Sequence, residues 1–168
     1  ENEKDFKNAY EYFTKKDTLM CIKPAIAHGS RGFRIIKDTS YTEYISSKVS
    51  SNQSFKSFYK MIAKKEIDTL IGMEYLPGTE YSVDCISYNN YFYCVIRSRD
   101  ETINGISSKG TIYDIPELQE ISKEIYDLFG FTSNVNIQFK ISKDNSFKLL
   151  EINPRISGAI SFSIKSGI

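Results

Sequence analysis

The sequence predicts an α+β protein of two small lobes built on antiparallel strands. Apolar residues recur every three to four positions in some segments and every second position in others, so both helices and half-buried strands are present. Two pairs of strand-like runs are joined by short turns at Asn89-Asn90 and at Lys143-Asp144-Asn145-Ser146, as in hairpins. A Pro-Gly turn, Leu76-Pro77-Gly78-Thr79, separates the lobes. A length of 168 residues suits one domain or two small lobes, and a hydrophobic content of 40% provides a real core.

In chain order, Phe6, Ala9, Tyr10 and Phe13 mark an amphipathic helix. Leu19 to Lys23 reads as a strand closed by Pro24, and Phe33 to Ile36 as a second. Between them, Ala27 to Gly32 is a loop with two glycines. Thr39 or Ser40 caps a predicted helix to about Val49. Ser50 to Ser54 reads as a break, and Phe55, Phe58, Tyr59 and Ile62 as a further helix. Leu70 to Tyr75 is a strand. In the second lobe, Tyr81 to Ser87 and Tyr91 to Ile96 form the first hairpin. Asp100 to Gly110 is polar and holds two glycines, which predicts a mobile loop. Pro116 opens a helix carrying Leu118, Ile121, Ile125 and Leu128, closed by Gly130. Val135 to Ile141 and Phe147 to Ile152 form the second hairpin. The lobes are placed at 1–72 and 73–168.

Composition narrows the function. The chain carries 22 basic and 21 acidic residues, a net charge of +1, without clusters of one sign. That argues against a nucleic-acid or membrane-surface binder. Cys21, Cys85 and Cys94 are an odd number without CxxC spacing, so a disulfide framework or a zinc site is not expected and a reducing cytoplasm fits. His28 is the only histidine, which leaves little for a Ser-His-Asp triad. No apolar run approaches the roughly 20 residues that span a bilayer, and no signal peptide is visible. The chain begins without Met and ends in a helix only just begun, as expected for a piece of a longer protein.

Four groups of residues carry candidate chemistry. Gln138 and Glu151 lie on neighbouring strands of a hairpin, and alternation puts Glu151 and Asn153 on one face. A carboxylate and two carboxamides are oxygen ligands for a hard cation such as magnesium, though they would equally make the exposed face of an edge hairpin. Arg155 follows Asn153-Pro154 at a strand tip, where a guanidinium either forks onto phosphate oxygens or faces solvent. Lys23-Pro24 precedes His28-Gly29-Ser30-Arg31-Gly32. This is not a Walker A loop, because the Lys comes before the glycines. It reads as a flap over phosphates or as a plain turn. Finally, Glu74-Tyr75-Leu76 offers backbone groups to an adenine edge, and Glu80 can accept hydrogen bonds from a ribose, or the segment is an ordinary surface hairpin.

In this order, strand-Lys, glycine loop, acidic hinge, Gln strand and Glu-Ile-Asn-Pro-Arg-Ile-Ser-Gly, the chain resembles the ATP-grasp superfamily. Within it the chain is similar to the carbamoyl-phosphate-synthase-type group and related carboxylate–amine ligases. The resemblance covers nearly all of residues 19–168 and is most specific at Glu151–Gly158 and Glu80–Asp84. It implies two α/β lobes clasping a nucleotide between antiparallel sheets. Lys23 would contact the α and β phosphates, and Gly29, Ser30, Arg31 and Gly32 would close on them. Glu74, Tyr75 and Leu76 would hold adenine, and Glu80 the ribose. Gln138, Glu151 and Asn153 would bind magnesium, with manganese as a substitute, and Arg155 would stabilise the transferred phosphoryl group. Arg97, Arg99, Ser107 and Lys109 resemble a basic segment that in relatives lies beside the phosphate or acid substrate.

The implied chemistry is ATP-dependent activation of a carboxylate as an acyl phosphate, followed by attack of an amine or ammonia. Two alternatives stand beside it: a phosphotransferase of the same fold, and a nucleotide-binding regulatory module without catalysis. Relatives carry a preceding Rossmann-like domain and continue beyond this region, so a further domain of the same chain is expected to frame the acceptor site. A homodimer is compatible with the resemblance.

Overall fold

A computed structural model describes residues 3–26, 33–37, 52–56, 59–60, 69–89, 91–103, 106–165 and 167. The chain divides into two compact units, Glu1–Tyr75 and Leu76–Ile168.

The first unit holds helix α1 (Glu3–Lys15) and strands β1 (Met20–Pro24), β2 (Arg34–Lys37), β3 (Asn52–Ser54) and β4 (Leu70–Glu74). The strands form one sheet in the order β3-β2-β1-β4, with β1 antiparallel to both neighbours and β3 parallel to β2. The three-to-four spacing in α1 buries Phe6 against Met20, Ile22 and Ile36, flanked by Ala9, Tyr10 and Phe13. Phe55 stacks on Phe6 at 5.3 Å between ring centroids and packs on Tyr10 at 4.3 Å. Phe55, Lys56, Tyr59 and Lys60 are helical, as the spacing predicts. The expected break at Ser50–Ser54 is corrected: Asn52–Ser54 is a strand. Its polar residues carry little strand preference, and pairing with Ile35, Ile36 and Lys37 makes it one. The glycine loop (27–32) and the helix expected over 39–49 lie outside the described residues.

The second unit is built on a five-stranded antiparallel sheet in the order β11-β10-β5-β6-β9. Its strands are β5 (Glu80–Tyr88), β6 (Tyr91–Ser98), β9 (Ile112–Tyr113), β10 (Val135–Ile141) and β11 (Phe147–Asn153). On one face Val83, Cys85, Ile96, Val135, Ile137 and Phe139 meet helix α2 (Pro116–Leu128) in a continuous core. The buried stripe of α2 runs Leu118, Ser122, Tyr126. Leu128, expected on that stripe, is 80% exposed. At 100° per residue it lies roughly 80° from Leu118, on the side away from Tyr126. Tyr126 takes its place, with its ring in the core and its hydroxyl donating to the Ser133 carbonyl at 2.8 Å. Gly130, at φ +63°, closes the helix.

The polar segment 100–110 is also corrected. Glu101–Ile103 (β7) and Ile106–Lys109 (β8) form a two-stranded ladder. Thr102 pairs with Ser107 and Ile103 with Ile106, so β-branched residues sustain strands that overall polarity concealed. After β8 the chain passes close to β6. A Cβ on Gly110 would sit 2.2 Å from the Ser98 carbonyl oxygen, which backbone cannot vacate. Gly110→Ala should therefore destabilise the second unit by about 1–3 kcal/mol, measured as a lower urea midpoint. An unchanged midpoint would show that β9 shifts freely.

Cys85 and Cys94 are cross-strand neighbours on β5 and β6, and both keep free thiols. Burial pushes the Cys85 thiol far up and raises Cys94 from 9.0 to about 11. Burial favours the neutral thiol in the fold. Below pH 9 both states hold the proton and the contribution to stability is complete. Above it the unfolded chain ionises first, so stability drains as the pH climbs from 9 through about 11. Melting temperature should fall less steeply over this window in Cys94→Ala than in the unmodified protein; parallel curves would contradict the assignment.

Candidate active site

The face of the second sheet opposite α2 is polar. On β5, Glu80, Ser82 and Asp84 alternate with the core residues Tyr81, Val83 and Cys85. On β10, Asn136, Gln138 and Lys140 alternate with Ile137 and Phe139. Register aligns these residues in rows. Asn153, Asn136 and Asp84 form one, and Glu151, Gln138, Ser82 and Arg97 form the next.

The second row depends on a bulge. Phe139 pairs with Leu149, yet Gln138 pairs with Glu151, so Leu150 is an extra residue in β11. Without it, Leu150 would stand opposite Gln138, and Glu151 and Asn153 would turn to the other face. With it, Glu151 and Asn153 share a face as the sequence predicts, Gln138 joins them on it, and the Asn153 amide donates to Glu151 Oε1 at 2.9 Å. The chain then turns tightly, Arg155 N–H to the Asn153 carbonyl at 2.7 Å, and presents Arg155 exposed at the strand tip.

One end of this face is closed. Ser157 and Ser163, the latter on helix α3 (Ile160–Lys165), bring hydroxyls to Asp84 Oδ2 at 3.4 and 2.6 Å. Arg97 reaches the same oxygen at 3.6 Å and donates to Ser157 Oγ at 2.9 Å and to the Ser82 carbonyl at 3.4 Å. The Arg97 side chain is only 2% exposed. Burial draws its pKa down, and the Asp84 carboxylate opposes that. The four residues Arg97, Arg99, Ser107 and Lys109 therefore separate. Arg97 is enclosed and bonded to the framework. Ser107 is buried on β8, and Lys109 is exposed and pairs with Glu101 at 3.3 Å. Only Arg99 reaches the Gln138 and Glu80 side chains, and its Nη1 donates to Glu80 Oε1 and Gln138 Oε1, both at 2.6 Å. Lys140 approaches Glu80 from the other side at 3.9 Å.

In the first unit, Lys23 is half-buried on β1 opposite Ile71. Glu74 ends β4, and Tyr75 N–H donates to the Leu19 carbonyl at 2.7 Å. Leu76, the first residue of the second unit, is buried. Gly29, Ser30, Arg31 and Gly32 lie outside the described residues. Asp84, Asn136, Ser157 and Ser163 escaped the sequence reading as functional candidates. Asp84 has the parity of Glu80 and Asn136 that of Gln138, so alternation alone held the signal for those two.

The oxygen donors fit a hard cation. Of Gln138, Glu151 and Asn153 only Glu151 is anionic, and among the described residues no three His, Cys, Asp or Glu side chains gather at a metal-binding spacing. That is the economy of a magnesium site completed by phosphate and water.

A family model described as ATP-grasp in the biosynthetic pathway with Ter operon matches residues 66–168, more than half of the chain. The chain belongs to this ATP-grasp family. No curated protein sequence matches it significantly. Among solved structures, N5-carboxyaminoimidazole synthetase from Staphylococcus aureus in complex with ADP is similar at 18% identity and a TM-score of 0.66, covering 96% of this chain and 40% of that one. Biotin carboxylase from Campylobacter jejuni, in complex with a β,γ-ATP ligand, is similar at 16% identity and a TM-score of 0.63, covering 92% and 35%. D-alanyl-alanine synthetase A from Vibrio cholerae O1 is similar at 12% identity and a TM-score of 0.61, covering 99% and 51%. These likenesses show the ATP-grasp fold, mixed α and β with antiparallel sheets, and the chain spans about half or less of each relative's length. No described helix is long and apolar enough to cross a membrane.

Arg97 and Arg99 make opposite demands on stability. Arg97→Ala strands the Asp84 carboxylate and should cost about 3–5 kcal/mol, read by chemical unfolding. Arg99→Ala, at the open end, should cost under half of that. Equal losses would refute the division between a closed and an open end.

Proposed function

We propose that the chain is the nucleotide-binding part of an ATP-dependent ligase that activates a carboxylate as an acyl phosphate for attack by an amine or ammonia. The observation that carries this reading is the placement of Gln138, Glu151 and Asn153 on one face, with Gln138 directly opposite Glu151 and Arg155 just beyond. Membership of the ATP-grasp family and the nucleotide complexes of similar structures support it. In this reading Glu151, Gln138 and Asn153 hold magnesium, which when bound neutralises charge on the nucleotide's phosphates. Lys23 supplies a point charge to the α and β phosphates, and Arg155 a planar fork to the phosphoryl group being transferred. Glu80 orients the ribose, and Glu74, Tyr75 and Leu76 the adenine. Lys109 joins the basic residues near the phosphates. The glycine loop, Gly29 to Gly32, is the element assigned to excluding water that would hydrolyse the acyl phosphate.

A carboxylate oxygen is a poor leaving group and phosphate a good one, so this chemistry asks for positioning and charge neutralisation, not for a side-chain nucleophile. The thiols fit that. Cys85 and Cys94 lie on the other side of the sheet with raised pKa values, far from the character of a nucleophile. The carboxylate, the amine and a carbamoyl-phosphate-synthase-like overall reaction remain part of the proposal, as does a further domain that frames the acceptor. Dependence of phosphate release on an added amine separates a ligase from a phosphotransferase.

Calorimetry tests the metal assignment. ATP should bind more tightly with magnesium than without, and Glu151→Ala should reduce that gain about tenfold or more. Equal affinity with and without magnesium, in both proteins, sinks the assignment.

A further inference from the structure

Gln138 contributes an oxygen to a cation only if its carboxamide faces the right way, and nothing in a carboxamide's own shape decides this. Resting on the reading of Gln138 as a cation ligand, we propose that Asp84 sets that orientation through Asn136. Asp84 Oδ2 is taken by Ser163, Ser157 and Arg97, which leaves Oδ1 toward Asn136. Paired with the Arg97 guanidinium, Asp84 is a carboxylate and accepts only. The Asn136 Nδ2 group therefore turns to it, at 2.7 Å, and also lies 2.8 Å from Ser82 Oγ and 3.4 Å from the Val83 carbonyl. Asn136 Oδ1 then faces Gln138 and accepts from Gln138 Nε2 at 3.2 Å. Gln138 Oε1 is left pointing away, where the Arg99 guanidinium, which donates only, meets it at 2.6 Å.

The chain of hydrogen bonds thus has an obligate acceptor at one end and an obligate donor at the other, with two reversible amides between them. Its direction is unique. Asn136 is 2% exposed, so water cannot readily supply a substitute partner. Asp84 and Asn136 are positioning residues: they touch neither nucleotide nor cation, and act by fixing which atom Gln138 offers.

A chain of hydrogen bonds with one direction can be reversed and then rescued. In Asp84→Asn, Arg97 draws the new carbonyl oxygen to its side, so an NH2 faces Asn136. Asn136 must then turn its oxygen inward and its NH2 toward Gln138. Gln138 in turn offers nitrogen to the cation and to Arg99, or leaves two NH2 groups in contact. In the swapped protein Asp84→Asn/Asn136→Asp, the residue at 136 accepts on both sides, and Gln138 presents oxygen outward again.

The measurement is the ratio of ATP dissociation constants with and without magnesium, by calorimetry on the intact protein, with melting curves as a check on folding. Asp84→Asn should cut the magnesium gain about tenfold, within the range for partners behind a metal ligand. Affinity for ATP without magnesium should stay close to that of the unmodified protein, and the swap should restore the gain. If Gln138→Ala leaves the gain intact, the reading of Gln138 as a ligand fails. If Gln138→Ala loses it but folded Asp84→Asn keeps it, the orientation proposal alone is overturned. Loss in Asp84→Asn without recovery in the swap also overturns it, because Asp84 would then act only as the charge partner of Arg97. Should Asp84→Asn not fold, the swap and the unmodified protein decide. In the latter, Gln138 side-chain amide protons should show nuclear Overhauser contacts to Asn136 and not to the Arg99 guanidinium; the opposite pattern refutes the proposal.

Discussion

Two opposite charges held out of water side by side constrain the second unit more than any other contact. Desolvating a carboxylate and a guanidinium costs several kcal/mol each, and their mutual attraction offsets this only when the remaining polar atoms are also bonded. Asp84 and Arg97 approach that condition with help from four directions, the Ser82 carbonyl on β5, Asn136 on β10, Ser157 after β11 and Ser163 on α3, while Arg97 Nε is left buried without a hydrogen bond. Asn136, Ser157 and Ser163 all lie far from the pair in sequence. The pair therefore fixes the path of the segment after Asn153, and with it the position of Arg155.

The same sheet face changes character along its length. Towards Asp84 it is shut by Ser157, Ala159 and Ser163, all buried. Towards Glu80 it is more open, and there Arg99 and Lys140 meet the Glu80 carboxylate while Arg99 also donates to the neutral Gln138 carboxamide. An end closed by hydroxyls and an end shared by cations suit different tasks. The first holds geometry. The second exchanges one cation's company for another's at modest cost, because Coulomb interactions in partly solvated sites are weaker than in a dry interior.

Much of this was legible from residue order. Strands β5, β6, β10 and β11 follow from period-two alternation and two polar turns, and α2 from Pro116, its apolar spacing and Gly130. Glu151 and Asn153 could be set on one face because they are two residues apart. The unread features have particular causes. Asn52–Ser54 has no strand composition of its own and gains its conformation from β2. Thr102, Ile103 and Ile106 were hidden within a stretch judged by its overall polarity. Tyr126 is absent from the apolar spacing because tyrosine carries a hydroxyl, yet its ring belongs to the core. The partnership of Asp84, Asn136 and Gln138 needs the register between β5 and β10, which no single segment encodes. Arg97 and Arg99 look equivalent in sequence, two residues apart on one face. Only the covering of one end by α3 makes one of them framework and leaves the other beside the site.

Leu150 carries a consequence larger than its size. Strand pairing counts residues modulo two, and this leucine is the odd one that changes the count partway along β11. Hydrogen bonding in the hairpin would tolerate the same strand paired without the bulge, in a straighter ladder. The chemistry would not, since that pairing would offer Leu150 where Glu151 now stands and send the carboxylate to the core side. The site's identity is therefore written partly in arithmetic: a strand without Leu150 would bring Glu151 to Gln138 on a regular ladder, whereas one that kept Leu150 in regular register would lose that pairing.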